Sequence, residues 1–217
     1  MKNLVSYSIG SMMLAASMAA SAGFVIEGGT ANTLTYSTEL PHNGFNPNGF
    51  GAGKGYEGEV GVVGAKVNWY GNASDVTWTL EYLGKEASWN NEFNFSAVDG
   101  NSWKSIFTVQ GSKVGATESI EGGSFGFQFL ADAGDKGSVS NAEGRDSAPY
   151  FWAQTYDEGN TLVLWFSDGG AGNDKDFDDM GVKISAKVSS VPIPAALPLF
   201  MSALAGLGFV GFRRRKA

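Results

Sequence analysis

Apolar residues recur at every second position in short runs, and each run stops at a glycine- or asparagine-rich joint. In Val76-Thr77-Trp78-Thr79-Leu80-Glu81-Tyr82 the alternation sets Val76, Trp78, Leu80 and Tyr82 on one face. Phe125 to Phe129 and Val182 to Val188 repeat it, and Phe93 to Val98 and Ser105 to Val109 give shorter runs. Val60 to Tyr70 and Thr161 to Phe166 are apolar almost throughout, which suits strands buried on both faces. The joints are Tyr70-Gly71-Asn72, Asp99-Gly100-Asn101 and Glu121-Gly122-Gly123. No stretch carries a long helical period. With 31 glycines and 17% charged residues the chain is poor material for a helical bundle. The expected fold is all-β, an antiparallel β-sandwich or jelly-roll-like domain over residues 23–190. A domain of that size buries about 70% of its unfolded surface and stands without disulfides. Residues 41–58, rich in Gly and Asn, read as a long surface loop.

The absence of cysteine excludes disulfide scaffolds, thiolate zinc sites and cysteine nucleophiles. The single histidine, His42, lies between Pro41 and Asn43 in a turn and leaves little for a Ser-His-Asp triad. Charge is unevenly placed. All 22 acidic residues lie between Glu27 and Asp179, while Lys2, Arg213, Arg214, Arg215 and Lys216 sit at the ends. Residues 23–191 therefore carry ten basic and 22 acidic side chains, a net of −12. Such a surface repels phosphates, so nucleic acid is excluded as a partner, and it attracts divalent cations.

Both ends read as addresses. Lys2 precedes an apolar stretch from Ile9 to Ala20, and Ala20-Ser21-Ala22 puts small residues where a signal peptidase reads. Residues 1–22 are expected to be a signal peptide helix cleaved after Ala22; the apolar run is too short for a membrane anchor. At the other end, residues 191–217 open with Val191-Pro192-Ile193-Pro194-Ala195. Residues 195–212 carry no charge, and a basic cluster follows at Arg213, Arg214, Arg215 and Lys216. Eighteen helical residues span about 27 Å, close to the hydrocarbon thickness of a bilayer. Pro198 falls in the first turn, where proline is tolerated. The basic cluster keeps the cytoplasmic side, so the domain stands outside the inner membrane.

Motif, hydrophobic helix and arginine cluster, in that order, resemble the PEP-CTERM class of bacterial sorting signals. The variant written Val-Pro-Leu-Pro-Ala is matched by Val191 to Ala195, with Ile193 in place of Leu. Pro194 to Phe200 and Gly206-Leu207-Gly208 fit the same pattern. The resemblance implies a Gram-negative host that makes exopolysaccharide. It also implies processing by an exosortase, a membrane cysteine protease that cuts near the motif and releases or transfers the protein. A plain C-terminal membrane anchor is the alternative.

One stretch holds candidate chemistry. Asp168 is followed by Gly169, Gly170 and Gly172, then by Asp174, Asp176, Asp178 and Asp179. Carboxylates this close repel one another unless a cation sits among them, and Asp174, Asp176 and Asp178 have calcium-loop spacing. An EF-hand is contradicted, because Asp179 stands where the loop needs Gly and Ser185 where it needs Glu. Ca²⁺ in a β-turn and a solvated acidic turn both remain open. This stretch, with Glu81 to Ala87 and Asn90 to Phe93, also resembles segments of PEP-CTERM-bearing surface domains. That likeness implies a surface or matrix role and no reaction.

The six tryptophans leave open a sugar-stacking platform, though aromatics at alternating positions usually form core. Trp69 and Trp152, beside turns, are the two candidates. Gly49 to Gly55 has the look of a phosphate loop, but Asn48 and Gly55 stand where a Walker motif needs Gly and Ser or Thr. No catalytic residue and no nucleophile-plus-base pair is singled out. The functional expectation is a non-enzymatic, exosortase-sorted surface or extracellular-matrix protein, associated with exopolysaccharide and holding a calcium-stabilised turn. The alternative is a secreted polysaccharide-active enzyme using an Asp/Glu pair.

Overall fold

The computed structural model describes residues 22–34, 55–56, 58–85, 87, 89–96, 102–169 and 176–189. These residues form eleven strands and no α-helix. The strands are β1 (Gly23–Thr33), β2 (Val60–Tyr70), β3 (Val76–Gly84), β4 (Glu92–Ser96), β5 (Lys104–Thr108) and β6 (Thr117–Glu121). They continue with β7 (Gly126–Leu130), β8 (Ser138–Ser140), β9 (Tyr150–Tyr156), β10 (Thr161–Ser167) and β11 (Met180–Val188). One sheet has the order β1-β2-β9-β10-β11-β3-β6 and the other β5-β4-β7-β8, and every pairing is antiparallel. The all-β expectation holds, in a β-sandwich-like arrangement. The expected terminal helices, 1–22 (except for Ala22) and 195–212, and most of the 41–58 loop lie outside the described residues. No helix among the described residues is long and apolar enough to cross a membrane.

The period of two places the main core between the sheets. Val76, Trp78, Leu80 and Tyr82 are all buried on the face the alternation assigns them. They meet Phe93, Phe95, Phe127 and Phe129 from the four-stranded sheet, and Phe129 stacks on Phe166 with ring centroids 4.8 Å apart and planes 4° from parallel. A second core covers the other face of the seven-stranded sheet. Leu34, Val63, Leu83, Trp152, Val163, Trp165 and Phe177 pack there, with Tyr56 and Tyr156 at its margin. Two cores explain why every residue of β10 is buried, as its unbroken apolar run requires.

β2 departs from that expectation. It is not buried on both faces; its burial alternates. The β1–β2 hairpin bends at Gly28, Gly29 and Gly64, all at positive φ (76°, 80° and 73°), a conformation glycine reaches without a Cβ penalty. A Cβ on Gly29 would stand 2.5 Å from Val62 Cγ1 and 2.6 Å from Val63 O. The bend carries the hairpin from one core to the other, with Val67 in the main core and Val63 in the second. Strands that switch sheets do so at such bends. Asn141 fastens the corner. Its Oδ1 accepts the Phe127 N–H at 3.1 Å and its Nδ2 donates to the Val67 carbonyl at 3.1 Å. Its backbone repeats both links, at 3.1 Å to Phe127 O and 2.8 Å from Val67 N.

Candidate functional site

The acidic turn is built where β10 ends and β11 begins. Phe166 and Met180 are the last cross-strand pair, so Asp168 leaves one strand as Asp176–Asp179 approach the other. The Asp179 N–H donates to Phe166 O at 3.2 Å, and the Asp168 N–H donates to Asp179 Oδ2 at 2.7 Å. From the loop before β4, Asn91 Nδ2 donates to Asp168 Oδ2 at 2.7 Å while Asn91 Oδ1 accepts the Asp132 N–H at 3.1 Å. Asp132, after β7, holds a positive φ of 49°. Three connections thus meet at one end of the sheets, with the buried Asn91 amide between them.

Asp168 is 7% exposed and Asp178 fully buried, so for these two the solvated-turn reading fails. Asp176 and Asp179 are half-buried. Burial pushes the Asp179 carboxyl well above the ordinary carboxylate range. The charge of Asp168 adds to this, followed by Asp178 and Asp176, against the opposing hydrogen bond from the Asp168 amide. A carboxyl held in such a field keeps a proton or needs a cation beside it.

Four of the five expected calcium ligands are placed; Asp174 lies outside the described residues. Among the described residues no three Asp, Glu, His or Cys side chains are grouped so as to hold a metal ion. The sequence reading missed Asn91 and Asp132. Asn91 carries no charge, and nothing local brings residue 132 to residue 91.

Of the two proposed stacking tryptophans, Trp152 is corrected and Trp69 is half-buried. Trp152 is fully buried in the second core, its Nε1 donating to Asn32 O at 2.9 Å because β1 crosses above it. Trp69 packs edge-on against Phe24 and Trp78, with centroids 5.0 and 5.1 Å away. Nearness to a turn is no measure of exposure where a second core covers the sheet.

Ala20, Val191, Pro192, Ile193, Pro194, Ala195, Arg213, Arg214, Arg215, Lys216 and His42 lie outside the described residues. Ala22 immediately precedes β1. The chain matches no protein-family description, no curated protein and no solved structure.

Proposed function

We propose that this is a secreted, exosortase-sorted surface or extracellular-matrix protein, non-enzymatic and associated with exopolysaccharide. The observation that carries the reading is the ordered tail: motif 191–195, uncharged segment 195–212, basic cluster 213–216. The extent of the folded unit supports it. The first strand starts at Gly23, directly after the proposed signal-peptidase site at Ala22, and the last ends at Val188, before the motif. Both cuts therefore leave every strand among the described residues intact. In this reading the signal helix and the C-terminal helix flank the β-domain, and the protein is held in the inner membrane until the exosortase cuts.

Calcium belongs to the same proposal. Asp168, Asp176, Asp178 and Asp179, with Asp174, would hold it, and the raised Asp179 carboxyl is the observation in its favour. The enzyme alternative has that same carboxyl beside Asp168 to recommend it. Against it, Asp179 Oδ2 is committed to the Asp168 amide, and Asp168 Oδ2 to Asn91.

Intact mass of the protein recovered from its host's surface and medium tests the reading. Two new ends, after Ala22 and near Val191-Pro192, are expected. A mature product still carrying residues 195–217 overturns it in favour of a plain membrane anchor.

A further inference from the structure

Four side chains form a row across the outer face of the four-stranded sheet. Ser105, Asn94, Gln128 and Ser140 stand opposite one another in the registers of β5, β4, β7 and β8. Their neighbours Phe93, Phe95, Phe127, Phe129 and Val139 belong to the main core, so alternation turns the row outward. Three gaps between strands make it about 14 Å long. No member is itself charged, though carboxylates border the row at both ends, where Ser140 Oγ donates to Glu143 Oε1 at 3.1 Å and Ser105 Oγ to Glu92 Oε2 at 3.5 Å.

An aromatic ring flanks the row. Trp103 is 40% exposed, and the tip of its indole lies over Gly126. A Cβ there would stand 3.6 Å from Trp103 Cη2 and 3.6 Å from Ser96 Cβ, ordinary contact distances that place the indole tip against the outward side of Gly126. Two polar atoms at the outward positions of β4 lack partners. Asn94 is 7% exposed and Ser96 fully buried, and neither Asn94 Oδ1 nor Ser96 Oγ has a hydrogen-bond partner. Native structures rarely leave such atoms unmet unless something outside the chain meets them.

We propose that this face binds a neutral polysaccharide, one sugar ring stacked on Trp103 and its neighbours' hydroxyls bonded to Asn94, Gln128 and Ser140. The proposal rests on the reading of the chain as a polysaccharide-associated surface protein, and adds the face and the residues. A sugar offers both things the face asks for: an apolar ring face for the indole and hydroxyls for amides and serines. A protein partner fits poorly, since the buried centre of a stable interface is apolar, and Leu130 is the one other apolar residue facing out from β4, β7 and β8. The domain's negative charge disfavours a polyanion.

Affinity electrophoresis of the full chain through gels containing a neutral β-glucan, dextran or alginate tests it. Retardation by at least one neutral polymer and none by alginate is expected. Trp103→Ala and Gln128→Ala each weaken it at least about tenfold, while Tyr70→Ala, at an exposed ring of the β1–β2 hairpin, changes nothing. Unaltered thermal midpoints show that the variants fold. Polymer also shields wild-type Trp103 from acrylamide quenching, a readout independent of any variant. No retardation by either neutral polymer, equal retardation of Trp103→Ala, or retention on alginate overturns the proposal. Absent binding would leave the two processed ends standing, and an unprocessed tail would leave binding standing, so the two readings fail separately.

Discussion

Removing the Asn141 side chain tests whether one amide holds the corner of the sandwich. Asn141→Ala deletes two hydrogen bonds, each 3.1 Å long, and leaves the Phe127 N–H and the Val67 carbonyl in place. Both residues are fully buried, so neither group reaches water readily. An orphaned buried donor or acceptor costs about 1–3 kcal/mol, so two cost about 2–6 kcal/mol. Asn141 is itself half-buried, and water entering from its side brings the expectation to about 2–3 kcal/mol. For a domain of this size that lowers the thermal midpoint by roughly 4–12 °C. Urea unfolding should show a lower midpoint with unchanged slope, because the surface exposed on unfolding is the same. Asn141→Asp keeps the acceptor for Phe127 but sets an oxygen against the Val67 carbonyl. It should be at least as destabilised at neutral pH and recover in acid, where a protonated carboxyl donates again. A loss below about 0.5 kcal/mol for Asn141→Ala, the range of ordinary surface changes, would refute the argument and leave the corner to backbone bonds alone.

Without calcium, stability should fall as pH rises above the ordinary carboxylate range toward the raised value of Asp179. Over that window the unfolded chain has already released the proton that the folded chain keeps. Asp179→Asn should flatten this slope in urea titrations at several pH values. Calcium over chelator should raise the thermal midpoint, more at higher pH, and at one hundred times the dissociation constant it adds about 2.7 kcal/mol; no shift sinks the metal assignment and leaves the sorting argument untouched. Gly181→Ala places a Cβ 2.4 Å from Trp165 Cζ3 and should cost about 1–3 kcal/mol by overpacking. Its cost should shrink in a Trp165→Leu background, which a double-mutant cycle reads directly. Phe129→Ala, which removes the ring stacked on Phe166, should cost about 3–5 kcal/mol.

The strands legible in the sequence show either a clean period of two or an unbroken apolar run, as Thr161–Phe166 does inside β10. Val76–Tyr82 and Val182–Val188 fall inside β3 and β11, and Val60–Tyr70 coincides with β2. The strands that were missed break the rule for physical reasons. In β9, Tyr150, Phe151, Trp152 and Ala153 are all buried, because cores lie on both sides, and burial on two faces erases the period. In β1, Glu27-Gly28-Gly29-Thr30 has no alternation to read. It is a strand because β2 pairs with it from Gly23↔Tyr70 to Thr33↔Val60. β6 closes an edge with the mostly polar Thr117-Glu118-Ser119-Ile120-Glu121, and β8 has only three residues.

The same limit hid the face with Trp103. A regular strand from Ser105 to Val109 puts Ser105 on the side of Phe107, which is core, so simple alternation turns Ser105 inward. The register of β4 with β5 shifts between Phe93 and Asn94. Phe93 pairs with Phe107, and Asn94 pairs with Ser105. One extra residue, Ile106, is taken up in the bulge and packs toward the main core. A bulge of one residue reverses the face of everything beyond it. Here it turns Ser105 out beside Asn94 and brings Lys104 over the edge, 2.8 Å from Glu118 of the other sheet. The uncharged row exists only after that slip. Glu92 pairs with Thr108 on the near side of the bulge; an unbulged ladder would set Ile106 opposite Asn94 and turn Ser105 to the core side, whereas deleting Ile106 would keep Asn94 opposite Ser105 in a regular ladder.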